Sequence, residues 1–292
     1  MISIVISSVN AKQLDRVSGN INRTIGVPYE IIAFENAEGK YGIAEIYNDG
    51  VRKAKYDMLC FTHEDVEFHT NNWGKVVLNI FEGRLNLGLI GLSGSTIKSS
   101  VPGGGDNILG TNFTNLIQYY KFEKRPPQHI CEPLNPRKSL NPVVFVDGVW
   151  FCCPKKIAEQ YPFDETLKGF HGYDIDFSLA VGEAYEVAVT FDVLLSHYSE
   201  GNFSKEWLDA MLYIHRKRKK QLPKYRELYP DLSVQSAEKK TFKYLLRKYR
   251  DNVGITLLDG VEILNSSNIR SLGLLLYIKL YYYVIKILLF RK

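Results

Sequence analysis

The opening third of the chain repeats one pattern: a short β-rich apolar run, a stretch with apolar residues at helical spacing, then another apolar run. Ser3 to Ile6, Tyr29 to Phe34 and Met58 to Phe61 read as strands, while the stretch reaching Ile21 and the one from Ile43 to Ala54 read as helices. Strands alternating with helices predict a parallel sheet with crossovers on its faces, so the strands' carboxyl ends gather at one edge. Ser8, Glu35 and Asp65 lie at three such ends. Ligands of open α/β sheets sit just beyond that edge.

The third of these strands ends most abruptly, with Leu59-Cys60-Phe61-Thr62 giving way to His63-Glu64-Asp65. Side chains alternate along a strand, so His63 and Asp65 point one way and can hold a divalent cation and a diphosphate, while Glu64 points the other. A solvated strand end with incidental charges is the competing account.

Farther along, Trp73 to Phe81 reads as a helix and Leu87 to Leu92 as a strand ending in Ser93-Gly94-Ser95. From there to Pro142 the pattern loosens. Pro102-Gly103-Gly104-Gly105-Asp106 lacks the helix start and Lys-Ser or Lys-Thr of a P-loop, so it is read as an active-site flap or a plain surface loop. Val143 to Val146 reads as a strand running into Asp147-Gly148. Tyr173-Asp174-Ile175-Asp176 opens a helix, where carboxylates meet the positive end of the dipole; one acid faces inward and the other caps. Val187 to Leu195 is the last strand of the region and leads into Ser196-His197. A lone histidine there is ordinarily packed or exposed.

The 292 residues suffice for a large domain with an appendage. Cys60, Cys131, Cys152 and Cys153 have neither zinc-site spacing nor a disulfide framework, which fits a reducing, cytosolic setting. Met1-Ile2-Ser3-Ile4-Val5-Ile6 lacks a basic leader and reads as a first strand. The net charge of +5 is concentrated late, in Arg216 to Lys220, Lys239-Lys240 and Arg247-Lys248. Such clusters fit an anionic surface, although each alone also reads as a solvated helix face. No aromatic-interleaved motif or zinc module points to nucleic acid.

Taken together, these stretches resemble a family 2 glycosyltransferase of the GT-A fold, an α/β architecture with a mixed, mostly parallel sheet flanked by helices. Ser3 to Asn10 is similar to that family's opening strand and turn, and Glu30 to Asn36 resembles its second strand. Asn48-Asp49-Gly50 resembles its Asn-x-Gly helix, His63-Glu64-Asp65 stands at its Asp-x-Asp position, and Tyr173 to Asp176 stands at its Glu-Asp-x-Asp stretch.

The resemblance implies a nucleoside-diphosphate sugar over the strand ends, with Mn²⁺ or Mg²⁺ bridging its phosphates. Asp65, His63 and His197 would form the metal site, and Asp174 would be the general base of an inverting transfer. Ser8, Glu35, Asn36, Asn48, Glu64, Asp147 and Gly148 would bind the donor. The acceptor would be a glycan or a lipid-linked molecule, as in surface polysaccharide assembly. His63 and Tyr173 depart from the family pattern, which keeps open a catalytically weak, membrane-associated, nucleotide-binding scaffold of the same fold.

The expected division is a transferase domain over 1–205 and a helical extension over 206–292. The last segment, from Leu272 onward, is the most apolar part of the chain, but Lys279 and Lys286 interrupt it. Two lysines seven apart share a helix face, so the expected arrangement is a peripheral helix at the inner face of the plasma membrane. Packing of that helix in a homodimer is the competing account.

Overall fold

A computed structural model describes residues 1–104, 110–121, 124–133, 138–201, 203–226 and 233–290. The chain forms two compact units: Met1–Ser95 with Asn112–Gly201, and Thr96–Thr111 with Asn202–Lys292. A piece from the middle of the chain thus belongs with the C-terminal helices.

In the first unit, β1 (Ile2–Ser8) is almost wholly buried. Asn10 then caps α1 (Ala11–Thr24): its side-chain oxygen accepts from the Lys12 and Gln13 amides, while Val17, Ile21 and Thr24 turn inward at helical spacing. β2 (Tyr29–Glu35), α2 (Ile43–Lys53) and β3 (Met58–Thr62) follow, with β1 between β2 and β3 and parallel to both. Gly50 lets α2 lie close on the sheet, since a Cβ there would come within 2.4 Å of a Val5 methyl.

The chain continues through β4 (Val66–Phe68), α3 (Trp73–Phe81), β5 (Leu87–Gly91), β6 (Ser93–Ser95) and β7 (Ile97–Lys98). β8 (Asn112–Gln118), β9 (Gln128–Glu132), β10 (Leu140–Val143), β11 (Phe145–Val146) and β12 (Trp150–Pro154) come next. After α4 (Lys155–Gln160) and α5 (Tyr173–Val181), β13 (Glu186–Thr190) and β14 (Leu195–His197) complete this unit.

The main sheet has the order β10-β13-β5-β12-β3-β1-β2. Alternation gives it two apolar faces: Ile2, Ile4, Ile6 and Cys60 pack with Val17 and Trp73 on one side, and Val5, Leu59 and Phe61 pack with Tyr47 and Phe177 on the other. Both faces are covered by helices, so its central strands read as continuous apolar runs. A second sheet, β11-β6-β8-β14-β4 with β9 on β8, is built from shorter strands.

Several expectations are revised. β12 enters between β5 and β3, antiparallel to both, so three of the six pairings in the main sheet are antiparallel. The Val143 to Val146 run divides at Val144 between the two sheets, and the run from Val187 to Leu195 divides between β13 and β14. The loose region before Pro142 supplies two strands of the second sheet, β8 and β9. The expected glycine flap is a packed segment of the second unit, where the Pro102 carbonyl accepts from the Tyr249 hydroxyl at 2.6 Å and Gly103 lies against Leu245. Gly105 and Asp106 lie outside the described residues.

The second unit comprises α6 (Lys205–Lys217), β15 (Lys224–Tyr225) paired with β7, α7 (Val234–Asn252), α8 (Leu257–Ser266), α9 (Ile269–Leu272) and α10 (Leu274–Leu289). Its core gathers Leu208, Leu212, Phe242, Leu246, Ile263 and Val284. Among the described residues, no helix is long and apolar enough to cross a membrane.

Candidate active site

Chain direction brings the site together. Because β12 runs antiparallel to β3 with Trp150 opposite Thr62, Asp147 to Val149 arrive beside the end of β3, and the His63 amide donates to the Val149 carbonyl at 3.1 Å. β14 runs antiparallel to β4 with His197 opposite Val66, and the Tyr198 amide donates to the Asp65 carbonyl at 2.9 Å. The start of α5 then approaches Gly148. A Cβ at that glycine would collide with the Tyr173 hydroxyl at 2.2 Å.

His63, Asp65 and His197 converge, each offering a ligand atom within 4.8 Å of the others. Hydrogen bonding assigns the protons. Gln118 Nε2 donates to the Tyr119 and Ser199 carbonyls, so its Oε1 faces His197 Nδ1 at 3.2 Å and accepts a hydrogen bond from Nδ1–H. His197 Nε2 therefore carries a lone pair, and it is buried without a hydrogen-bond partner.

The Tyr173 hydroxyl donates to the Gly148 carbonyl at 3.2 Å and so accepts from His63 Nε2 at 3.1 Å, which leaves His63 Nδ1 with the lone pair. Ser199 Oγ donates to Asp65 Oδ2 at 2.6 Å. Oδ1 is left facing His63 Nδ1 at 3.8 Å and His197 Nε2 at 3.7 Å, beyond hydrogen-bond reach.

Three electron-pair donors thus face one another with no hydrogen between them, and the outer atom of each group is held in place. This arrangement fits a divalent cation, and two imidazoles beside one carboxylate suit a transition ion such as Mn²⁺ better than Mg²⁺. Burial, and then the nearby His63, lower the pKa of His197 and keep the ring neutral for that role.

Asp174 occupies the first turn of α5, where Oδ2 accepts from the Gly148 amide and Oδ1 from the Ile175 amide, both at 2.9 Å. Burial, and then the neighbouring Asp147 carboxylate, push its pKa up to about 7 despite these amides. Asp147 itself accepts from the Val149 amide at 3.0 Å. Asp176 is buried while Asp174 is half-buried, so the two acids are not equally enclosed.

The remaining candidates divide by what they hold. Glu64 is buried and grips the turn between β1 and α1, accepting from the Ser8 hydroxyl at 2.6 Å and from the Val9 and Asn10 amides. Ser8 is thereby engaged with Glu64. Asn36 closes the loop to Tyr41, and Asn48 bonds both the amide and the carbonyl of Phe163. Glu35, paired in register with Ser8, ends β2 exposed.

Gln118, Ser199 and Tyr173 orient the cluster, yet sequence reasoning gave the first two no role. Gln118 lies in the loose region, and no local pattern marks it. Ser199, two residues beyond His197, was the one legible hint.

This sheet, with donor groups at its strand ends and Asp174 opening α5 beside them, has the GT-A fold. Solved structures of S. aureus TarS 1–349 share it. One has a TM-score of 0.52 at 11% identity, covering 98% of this chain and 83% of that one. The form with UDP has a TM-score of 0.53 at 10% identity, covering 97% and 89%. The form with UDP-GlcNAc has a TM-score of 0.50 at 10% identity, covering 91% and 79%. No curated protein matches the chain. The model of the glycosyltransferase-like family matches residues 1–227, and the chain belongs to that family. It is a glycosyltransferase.

Proposed function

We propose that the protein is an inverting, divalent-metal-dependent transferase that moves a sugar from a nucleoside-diphosphate donor to an acceptor hydroxyl. The buried lone pair of His197 Nε2, aimed at Asp65 Oδ1, carries this reading. UDP is the nucleotide proposed, since TarS has been solved with UDP and UDP-GlcNAc.

His63 Nδ1, Asp65 Oδ1 and His197 Nε2 would hold the cation, which supplies neutralisation of the charge on the departing diphosphate. Asp174 takes the acceptor's proton as its oxygen attacks in line, which inverts the anomeric centre. A carboxylate poised near neutrality is matched to that task. Glu35 would face the nucleobase, and Asp147 and Gly148 would line the donor. Glu64, Ser8, Asn36 and Asn48 would support the donor pocket by holding its loops. Residues 1–205, apart from 96–111, would form the transferase domain, and 206–292 together with 96–111 a helical extension. The acceptor would be a glycan or a lipid-linked molecule of surface polysaccharide assembly, met at the cytoplasmic face of the membrane.

UDP release across a panel of UDP-sugars and hydroxyl acceptors tests the reading. Turnover that chelation abolishes and Mn²⁺ restores, with product of opposite anomeric configuration by NMR, is expected. Retained configuration or metal-independent turnover overturns it. One observation favours a nucleotide-binding scaffold instead: both Asp174 oxygens already accept backbone amides, as in a helix cap. Donor binding without turnover over the whole panel would select that alternative.

A further inference from the structure

α10 is apolar on two opposite faces. Leu280 and Val284 pack into the core of the second unit, while Leu274, Leu275, Ile278, Tyr282 and Leu289 point outward, with Leu275 65% and Tyr282 68% exposed. A helix apolar all round is ordinarily enclosed on every side, and this one is enclosed on one only.

A belt of cations borders the outward face. Lys279 and Lys286 mark one edge of α10, seven residues apart. Lys239, Lys243 and Arg247 repeat every four residues along α7. The two helices join at Tyr283: Arg247 Nε donates to its hydroxyl at 2.7 Å, and the Lys243 ammonium stands 4.8 Å over its ring. Burial and the charges of Lys239, Arg247 and Lys286 lower the pKa of Lys243, so like charges are concentrated here. An open groove of about 680 Å³ runs over Lys240, Lys243, Arg247 and Lys248, with Asp251 the acid among its lining residues.

We propose that this surface docks on an anionic lipid bilayer, with α10 lying in the plane of the interface and the cation belt of α7 and α10 against the headgroups. The proposal deepens the membrane part of the function above and stands independently of sugar transfer. Charge selects the occupant. After Glu262 the sequence contains no Asp or Glu, so the same segment of a second copy would bring apolar surface but no acidic side chain to neutralise the belt. An anionic bilayer supplies both, its acyl chains the apolar surface and its headgroups the negative charge. At 16 residues, α10 is about 24 Å long, short of the roughly 30 Å hydrocarbon core, so it lies along the surface.

The test is co-sedimentation of the full chain with vesicles of phosphatidylcholine alone or mixed with phosphatidylglycerol. Binding to the mixed vesicles only is expected. It should weaken by about tenfold or more in Lys243→Glu/Arg247→Glu and again in Ile278→Asn/Tyr282→Asn. Thermal melts confirm that the variants fold, and UDP release from a UDP-sugar with a soluble acceptor, expected to be unchanged, reads the active site separately. No binding to anionic vesicles overturns the proposal, as does binding that neither variant pair alters. Self-association by light scattering that Ile278→Asn abolishes, without vesicle binding, would assign the face to a second copy.

Discussion

His197 presents an unprotonated Nε2 to Asp65 Oδ1 across 3.7 Å, too far for a hydrogen bond and with no proton available to make one. The groups that impose this are Gln118, whose Oε1 accepts a hydrogen bond from Nδ1–H, and Ser199, which engages the other carboxylate oxygen. Gln118→Leu is therefore expected to weaken Mn²⁺ binding by roughly 10- to 100-fold, the range for loss of an orienting partner. Calorimetry or the Mn²⁺ paramagnetic signal measures it. Unchanged affinity would remove Gln118 from the site.

Asp174→Asn should lower turnover by roughly 10² to 10⁴ while leaving donor affinity intact. With the carboxyl near pKa 7, kcat/KM of the parent should fall as pH drops through about 7, because the base must be ionised. Asp147→Asn removes the like charge and should move that limb to lower pH. A limb that stays put would exclude Asp147 as a cause.

The same group links pH to stability. Its folded pKa lies above the unfolded carboxylate value of about 4, so folding favours the protonated form. That contribution is complete below about pH 4 and is lost as pH rises through about 7. Asp174→Asn should therefore melt at a higher temperature than the parent at pH 8, with the difference shrinking towards pH 5, as calorimetry would record.

Glu64→Ala leaves the Ser8 hydroxyl and two amides without their shared acceptor, a loss of about 1.5 to 3 kcal/mol. Urea denaturation checks the figure. Loss of donor binding without loss of stability would instead make Glu64 a direct donor contact.

Gly50→Ala sets a methyl against Val5 and should destabilise by about 1 to 3 kcal/mol through overpacking. Val5→Ala opens that space, so the double variant should be more stable than the two single losses predict by addition. Strict additivity in denaturant melts would refute the contact.

The alternating pattern from Ile2 to Phe61 was legible because apolar spacing reports which side of each segment is buried, a local property. It also located the strand ends that carry Ser8, Glu35 and Asp65. Val143 to Val146 misled because one apolar run serves two sheets, and spacing carries no record of partners. β12 was missed for a related reason: Trp150-Phe151-Cys152-Cys153 is as apolar as any central strand but follows another run too closely to be separated by pattern.

By itself, the sequence determined the α/β class, the edge where chemistry gathers, and the donor types in His63, Asp65, Asp174 and His197. Tertiary structure alone decided which lone pairs face one another. Residues 118, 173 and 199, distant along the chain from Asp65, set the ring protons and the free carboxylate oxygen through hydrogen bonds that exist only once the strands have paired.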